Sequence, residues 1–310
     1  MLEVDRLDGR TVAVTGATSG IGYFIAEQLA ELGAEIIVVA RSGERGRHAI
    51  GLLPHPDRHR VLEMDLADVE SVRRAGKELR DTPELDGLVM NAGLVAAPTS
   101  FEQGPYEVEL TVGTNFLAHV ELLRLALPSL ERAPTARVVS MGSMLTQRIP
   151  FDRNNWLSQD YYRPRVAYAM SKHATEILGF ELSRKLRGGP SSVESVVVHP
   201  GGAIDALTAD RPGIHTRPGI VRAAARVLGP AFSSMVQGKD SAAAPAVAAM
   251  AARDLPLGGV YIGPQRNAAG PPVIAEPVHS SRNCDLGAFV WNETERIIGA
   301  PILAQRHPRR

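Results

Sequence analysis

Short runs of apolar, largely β-branched residues recur along the chain: TVAVT (Thr11–Thr15), EIIVVA (Glu35–Ala40), RVLEM (Arg60–Met64), DGLVM (Asp86–Met90), ARVVSM (Ala136–Met141) and VESVVVH (Val193–His199). They are nearly continuous rather than alternating, the pattern of strands covered on both faces. GGVYIG (Gly258–Gly263) reads as a seventh. Between them, Gly20–Leu32, Val69–Arg80, Tyr106–Arg132 and Ala167–Leu186 carry apolar residues near helical spacing. Such β-α alternation predicts an α/β fold: a doubly wound parallel sheet of about seven strands with helices on both faces. No Pro/Gly/Ser linker or internal repeat divides the chain, so residues 1–310 are read as a single domain. The Pro/Gly-rich stretch from Leu255 to Pro277 reads as an ordered excursion. Beyond it Leu286, Phe289, Val290, Trp291 and Ile297 suggest one amphipathic closing helix.

Composition changes this picture little. Hydrophobic residues make up 44%, enough for a buried core. Lys plus Arg equals Asp plus Glu, 34 against 34, so bulk charge argues for neither nucleic acid nor an anionic membrane. Cys284, without a partner, cannot form an internal disulfide and is read as structural. The start lacks a basic segment followed by an apolar one. The longest apolar run, Ala242–Ala252, is too short and alanine-rich to span a bilayer. The expectation is a soluble cytoplasmic protein.

TGATSGIG (Thr15–Gly22) ends the first strand and opens the first helix. Gly16, Gly20 and Gly22 let the backbone turn tightly and approach a ligand, and the free N–H groups of the helix then face a pyrophosphate. Lodged between strand and helix, the pattern indicates a dinucleotide. Taken with NAG (Asn91–Gly93) and YAMSK (Tyr168–Lys172), in that order, it resembles the short-chain dehydrogenases/reductases over about the first two thirds of the chain. The resemblance implies a single-domain, Rossmann-type oxidoreductase. Gly16, Thr18, Ser19, Gly20, Ile21 and Gly22 would cradle the phosphates, and Asn91, Ala92 and Gly93 would form the turn beneath the cofactor. Asp65 would hydrogen-bond the adenine with Leu66 beside it, although Asp65 and Asp68 could equally cap the next helix. At the end of the second strand NAD enzymes tend to carry an acid. Here Arg41 would attract a 2′-phosphate and Ser42 could donate a hydrogen bond to it, so NADP(H) is expected rather than NAD(H).

Tyr168 and Lys172 stand one helical turn apart. Bringing a tyrosine from its ordinary pKa of about 10 down by about three units takes roughly 4 kcal/mol. A cation about 4 Å away, at an effective dielectric near 20, supplies an energy of that size. Lys172 could contribute it, helped by the charge of an oxidised nicotinamide. Tyr161 has Arg165 at the same spacing, but arginine holds its proton too tightly to belong to a relay. By resemblance, Ser143 orients the substrate oxygen and Asn115 holds a water linking the lysine to solvent. Asn115, Ser143, Tyr168 and Lys172 would then form a catalytic tetrad. Ser140 is a rival to Ser143, but strand alternation points it the other way.

Ser143 and Tyr168 are 25 positions apart, an interval resembling the retinol-dehydrogenase-like and protochlorophyllide-reductase-like branch. The insertion at about 144–165 carries Phe151, Trp156, Tyr161 and Tyr162 and is read as part of the substrate wall. It suggests a bulky, partly apolar small-molecule alcohol or carbonyl substrate. Pro200 and Gly201 resemble the turn beside the nicotinamide, and Ile204 would offer backbone groups to its carboxamide. Where relatives often carry a threonine, Asp205 and Thr208 stand instead. Residues 203–239 are expected to form a flap, interrupted by Pro212, Gly213, Pro218 and Gly219, and residues 264–310 a C-terminal extension. His55 and His59 have a metal-like spacing, but Pro54 and Pro56 break any helix there, so they are read as surface residues and no metal is expected. The ending RHPRR reads as a frayed basic tail. No Gly-x-Ser-x-Gly elbow occurs, which argues against a serine hydrolase. Two rival functions share these motifs: a nucleotide-sugar epimerase or dehydratase with tightly held cofactor, and a non-catalytic NADP-binding redox sensor. Oligomeric state is left open, a homo-oligomer included.

Overall fold

In the computed structural model, which describes residues 2–216, 218, 236–256 and 258–303, the described strands form one sheet in the order β3-β2-β1-β4-β5-β6-β7-β8. These are β1 (Thr11–Thr15), β2 (Glu35–Ala40), β3 (Arg60–Glu63), β4 (Gly87–Met90), β5 (Ala136–Met141), β6 (Val193–Val198), β7 (Val260–Pro264) and β8 (Pro272–Ile274). All pairings are parallel except β7 with β8, where Ile262 faces Ile274. The expected seven strands are present, and the short antiparallel β8 is added from within the Pro/Gly-rich excursion. Its opening proline suits an edge strand, where a missing N–H costs no ladder bond.

Alternation along the strands explains their apolar runs. Ala13, Ile37, Val39, Leu62, Leu88 and Val138 point to one face, packed under α3 (Val69–Asp81), α4 (Ala118–Leu130), α5 (Pro164–Arg187) and α7 (Cys284–Ile298). Val12, Val14, Ile36, Val38, Val139 and Val196 point to the other, covered by α1 (Gly20–Glu31), α2 (Gly43–Ile50) and α6 (Ala244–Ala251). Each valine, leucine or isoleucine among them contributes about 1.5–3 kcal/mol when fully buried, so both faces must be covered.

The segment expected as one helix over Tyr106–Arg132 is broken. A 3₁₀ turn at Pro105–Glu107 holds Tyr106 and Glu107 at positive φ. Leu110–Val112 then begins the helix, and a π turn at Gly113–Leu117 precedes α4. That π turn contains Asn115. The strand order reverses between β1 and β4, which opens a crevice at the carboxyl ends of these strands. Of the expected flap, residues 217 and 219–235 lie outside the described residues, as does the RHPRR ending. No described helix is long and apolar enough to cross a membrane.

Candidate active site

A cleft of about 570 Å³ runs along the crevice. At its floor, Gly16 and Gly20 sit at φ +70 and +56, in the left-handed region that side chains disfavour. A Cβ on Gly22 would collide with the Gly16 carbonyl and the Asn91 amide, so only glycine lets α1 start this close to the turn after β4. Ser19, at the start of α1, makes no side-chain cap, which leaves the first N–H groups facing the cleft. Thr18, Ser19 and Ile21 line the cleft with the glycines.

The turn after β4 is built from inside. The Asn91 amide donates to Thr15 O at 3.0 Å, and the N–H groups of Asn91 and Ala92 both reach Thr15 Oγ1 at 2.9 Å. His119 places Nδ1 3.0 Å from the Asn115 carbonyl and Nε2 3.0 Å from Thr15 Oγ1. A carbonyl only accepts, so Nδ1 carries the proton. Burial lowers the His119 pKa to about 4, so the ring is neutral and Nε2 accepts from the Thr15 hydroxyl. The side chain of Asn115 is engaged as well: Oδ1 accepts from Leu94 N at 2.7 Å, and Nδ2 donates to Leu94 O at 3.0 Å and to Ser171 Oγ at 3.3 Å. Asn115 thus fixes Gly93–Leu94 to α5. Any relay water held by its backbone would use the carbonyl's second lone pair.

Tyr168 and Lys172 line the far end of the cleft. The Lys172 ammonium is buried, donates to Met141 O at 2.8 Å and lies 5.9 Å from the centre of the Tyr168 ring. Burial lowers its pKa to about 8, with Glu176 pulling the other way. Tyr168 does not show the depression expected from Lys172. Burial raises its pKa, and hydrogen bonding with Ser143 opposes that rise. In the polypeptide alone desolvation outweighs that hydrogen bond, so Tyr168 is a protonated phenol at neutral pH. Ser143 follows β5 and caps the turn Met144–Gln147, its Oγ accepting from Leu145 N at 3.2 Å. Ser140 is buried against Gly179, away from the cleft.

At the opposite end, Arg41 and Ser42 line the cleft with Arg45, which the sequence reading did not single out. Both guanidinium groups are exposed and have no ion-pair partner among the described residues, whereas Ser42 Oγ caps α2 through Arg45 N at 3.3 Å. Asp65 and Leu66 line the cleft, and Asp68 caps α3, which divides the two roles open to this acidic pair. Pro200 lines it too; Gly201 and Ile204 do not. The Ile204 N–H donates to Gln237 O and its carbonyl accepts from Thr208 Oγ1, so the backbone groups expected to meet a carboxamide are already bonded. Asp205 pairs with Lys239, whose chain reaches the cleft beside Gly20.

Several expectations are corrected. Of the insertion's aromatics, Trp156 is buried edge-on between Phe116 and Phe289, and Phe151 packs on His173. Tyr161 bonds Asp152, and Tyr162 bonds Pro98 O and meets Phe101 edge-on. None of the four lines the cleft; apolar surface there comes instead from Leu94, Val95 and Leu110, with Val95 78% exposed. His59 is not a free surface residue: Ile36 N donates to its Nδ1 and its Nε2–H reaches Pro54 O, tying the approach to β3 onto β2. Cys284 is exposed at the first position of α7 rather than packed. No cluster of metal-ligating residues occurs among the described residues. His119, Lys239, Arg45 and Glu176 were missed. For His119 and Glu176 a signal existed, since each lies four positions beyond a residue that was singled out.

The fold and the glycine-floored cleft define an α/β dinucleotide-binding domain of the oxidoreductase type. A family model described as short chain dehydrogenase matches residues 10–211, and the chain belongs to that family, in its retinol-dehydrogenase-like branch. Retinol dehydrogenase 13 of Homo sapiens is 30% identical over 300 residues, covering 94% of this chain and 86% of the relative. Polyprenol dehydrogenase of Mus musculus is 32% identical over 302 residues, covering 94% and 84%. Among solved structures, an uncharacterised protein from Mycobacterium paratuberculosis is similar with a TM-score of 0.76 and 27% identity over 97% of each chain. A short chain dehydrogenase from Burkholderia cenocepacia, crystallised in complex with NADP, is similar with a TM-score of 0.62 and 25% identity, covering 85% of this chain and 99% of that one.

Proposed function

We propose that this chain is an NADP(H)-dependent oxidoreductase that interconverts a carbonyl and a primary or secondary alcohol. One observation carries the reading: a glycine floor that excludes side chains, two guanidinium groups without an ion-pair partner among the described residues, and the Tyr168–Lys172 pair all line one continuous cleft. The Gly16–Gly22 turn and Ser19 would hold the pyrophosphate, Arg41 and Arg45 the 2′-phosphate, and Asp65 the adenine. The Thr114 hydroxyl, buried at the cleft and without a hydrogen-bond partner among the described residues, is a further polar group suited to a polar ligand.

Bound NADPH supplies the hydride. The polypeptide supplies the proton. Tyr168 is protonated at neutral pH and gives its proton to the substrate oxygen, which the Ser143 hydroxyl holds. Ser143 Oγ accepts from Leu145 N, and the hydroxyl proton that it shares with Tyr168 in the polypeptide alone would turn to the substrate oxygen when that oxygen sits between them. The Lys172 ammonium then stabilises the phenolate that remains, an interaction strengthened by burial. In the alcohol-oxidising direction the same groups run in reverse.

Relatives named for retinol and polyprenol, and the apolar cleft residues Leu94, Val95 and Leu110, favour a long, apolar primary alcohol or its aldehyde. The test is turnover of retinal, a polyprenal and short aldehydes with NADPH and with NADH, using Y168F as control. NADPH-dependent reduction lost in Y168F is expected. Preference for NADH would overturn the reading of Arg41, and full activity in Y168F would overturn that of Tyr168.

A further inference from the structure

α5 bears a third ionisable side chain on the face of Tyr168 and Lys172. Glu176, one turn beyond Lys172, is 0% exposed. Its Oε1 accepts from Ser143 N at 3.2 Å and lies 3.5 Å from the Tyr261 hydroxyl on β7 and 3.2 Å from Thr146 Oγ1. Its Oε2 accepts from Ser281 Oγ at 2.8 Å. The carboxylate fits because residue 142 is glycine; a Cβ there would collide with Oε1.

Burying a carboxyl group is unfavourable, and an apolar side chain would fill the same volume without that penalty. Burial pushes the Glu176 pKa up to about 7, opposed by Ser281, Ser143 N, Thr146 and Lys172. The group therefore persists at a cost that packing does not explain. Its acceptors are aimed at the turn that carries Ser143. Within that turn the single hydroxyl proton of Thr146 goes to the nearer acceptor, Ser143 O at 2.7 Å, so Glu176 and Thr146 hold the Ser143 backbone from both its N–H and its carbonyl. On the far side Ser281 belongs to the helical turn His279–Arg282, which packs on α5.

We infer that Glu176 is a positioning residue: it fixes the Gly142–Thr146 turn so that the Ser143 hydroxyl meets the substrate oxygen beside Tyr168, and it anchors that turn to the C-terminal segment through Ser281. The inference rests on the roles proposed above for Ser143 and Tyr168.

The test compares wild type with E176L, E176M, E176Q, S143A and the double variant E176L/S143A, measuring kcat, KM for the carbonyl, NADPH affinity and thermal unfolding. A misplacement near 1 Å can cost about 100-fold, so E176L and E176M are expected to lose kcat by about that factor while binding NADPH as wild type does. E176Q, which keeps an acceptor for Ser143 N–H, is expected to stay within about threefold. The decisive readout is the double variant. If Glu176 acts through Ser143, E176L/S143A is no slower than S143A alone, whereas independent effects multiply. Multiplying effects, or an unchanged kcat with a lowered unfolding temperature, overturns the inference. So does failure of both E176L and E176M to fold while E176Q folds, which assigns the hydrogen-bonding end of the side chain to stability alone. Y168F separates the two levels. If Y168F retains activity, or no carbonyl is turned over by wild type, the site assignment fails and the inference with it. If Y168F is inactive and E176L is not impaired, Glu176 alone is misassigned.

Discussion

The two ends of the cleft handle positive charge in opposite ways. At one end Arg41 and Arg45 are exposed, at the end of β2 and in the first turn of α2. At the other, Lys172 is 6% exposed, its ammonium held by one carbonyl oxygen, with Glu176 one turn further along α5. A solvated guanidinium keeps its proton at any working pH, so it can select a dianionic phosphate without taking part in chemistry. A buried ammonium near pKa 8 is poised to change charge and can follow a proton moving on its neighbour. On the proposed reading, recognition at one end goes with exposure, and reactivity at the other with burial.

The sharpest way to break this comparison is at Tyr168. Y168F removes the hydroxyl and keeps the ring, so carbonyl reduction should fall by about 10²- to 10⁴-fold, the range of a lost general acid. NADPH affinity, proposed to be set at the other end, should stay within about twofold. Steady-state kinetics with a fluorescence titration of NADPH reads both. If affinity falls in step with rate, Tyr168 is a binding group and the division between the ends is false. The converse variants, R41A and R45A, should weaken NADPH by about tenfold each, the lower end of the range for a hydrogen bond to a charged group, because both sites are exposed. NADH should bind as before, and a matching loss for NADH would show that these arginines shape the cleft rather than read a phosphate.

The pH profile separates the ends again. The Lys172 pKa is lowered from its usual 10.5 to about 8. Below pH 8 the ammonium is charged and stabilises the phenolate left by proton donation; above it that help is lost. The kcat/KM for reduction should therefore be level near neutrality and fall by up to about tenfold per unit above pH 8. NADPH affinity should show no such break. K172R, which keeps its charge, should move the descending limb to higher pH even where it lowers the rate. A limb at the same pH in K172R would assign it to another group.

Much of the glycine-floored part of the cleft was legible because its requirements act on single residue types. A left-handed turn and a helix start pressed against a carbonyl demand glycine at 16, 20 and 22, and a strand covered on both faces demands an unbroken apolar run. The buried end was legible only along one helix. Spacing places Glu176 on the face of Tyr168 and Lys172, but nothing in the sequence says that Ser143, Tyr261 and Ser281 arrive there from three distant segments. The same limit misled the reading of Trp156. An aromatic in a loop beside a site can face substrate or core, and here Phe116 and Phe289 draw it inward. α2 escaped notice because eight mostly polar residues show no clear period, and β8 because three residues are too few.

The smallest expected effect tests whether a residue at the exposed end can hold two roles. Ser42 Oγ accepts from Arg45 N and so caps α2. A hydroxyl that accepts through a lone pair still has a proton to give, and the 2′-phosphate is the acceptor proposed for it. S42A should therefore lower stability by about 1 kcal/mol through the lost cap. It should weaken NADPH only about two- to tenfold through the lost hydrogen bond. The two consequences separate with NADH, which has no phosphate at that position. If NADH also weakens, the loss comes from a frayed α2 that displaces Arg45, and Ser42 acts on the cofactor only through the helix it starts. If NADH is unaffected while NADPH weakens, one hydroxyl both begins the helix and reads the phosphate. S42G then sharpens the result. Glycine is tolerated as a cap at a cost of only a few tenths of a kcal/mol relative to serine, so S42G should regain much of the stability and none of the preference for NADPH.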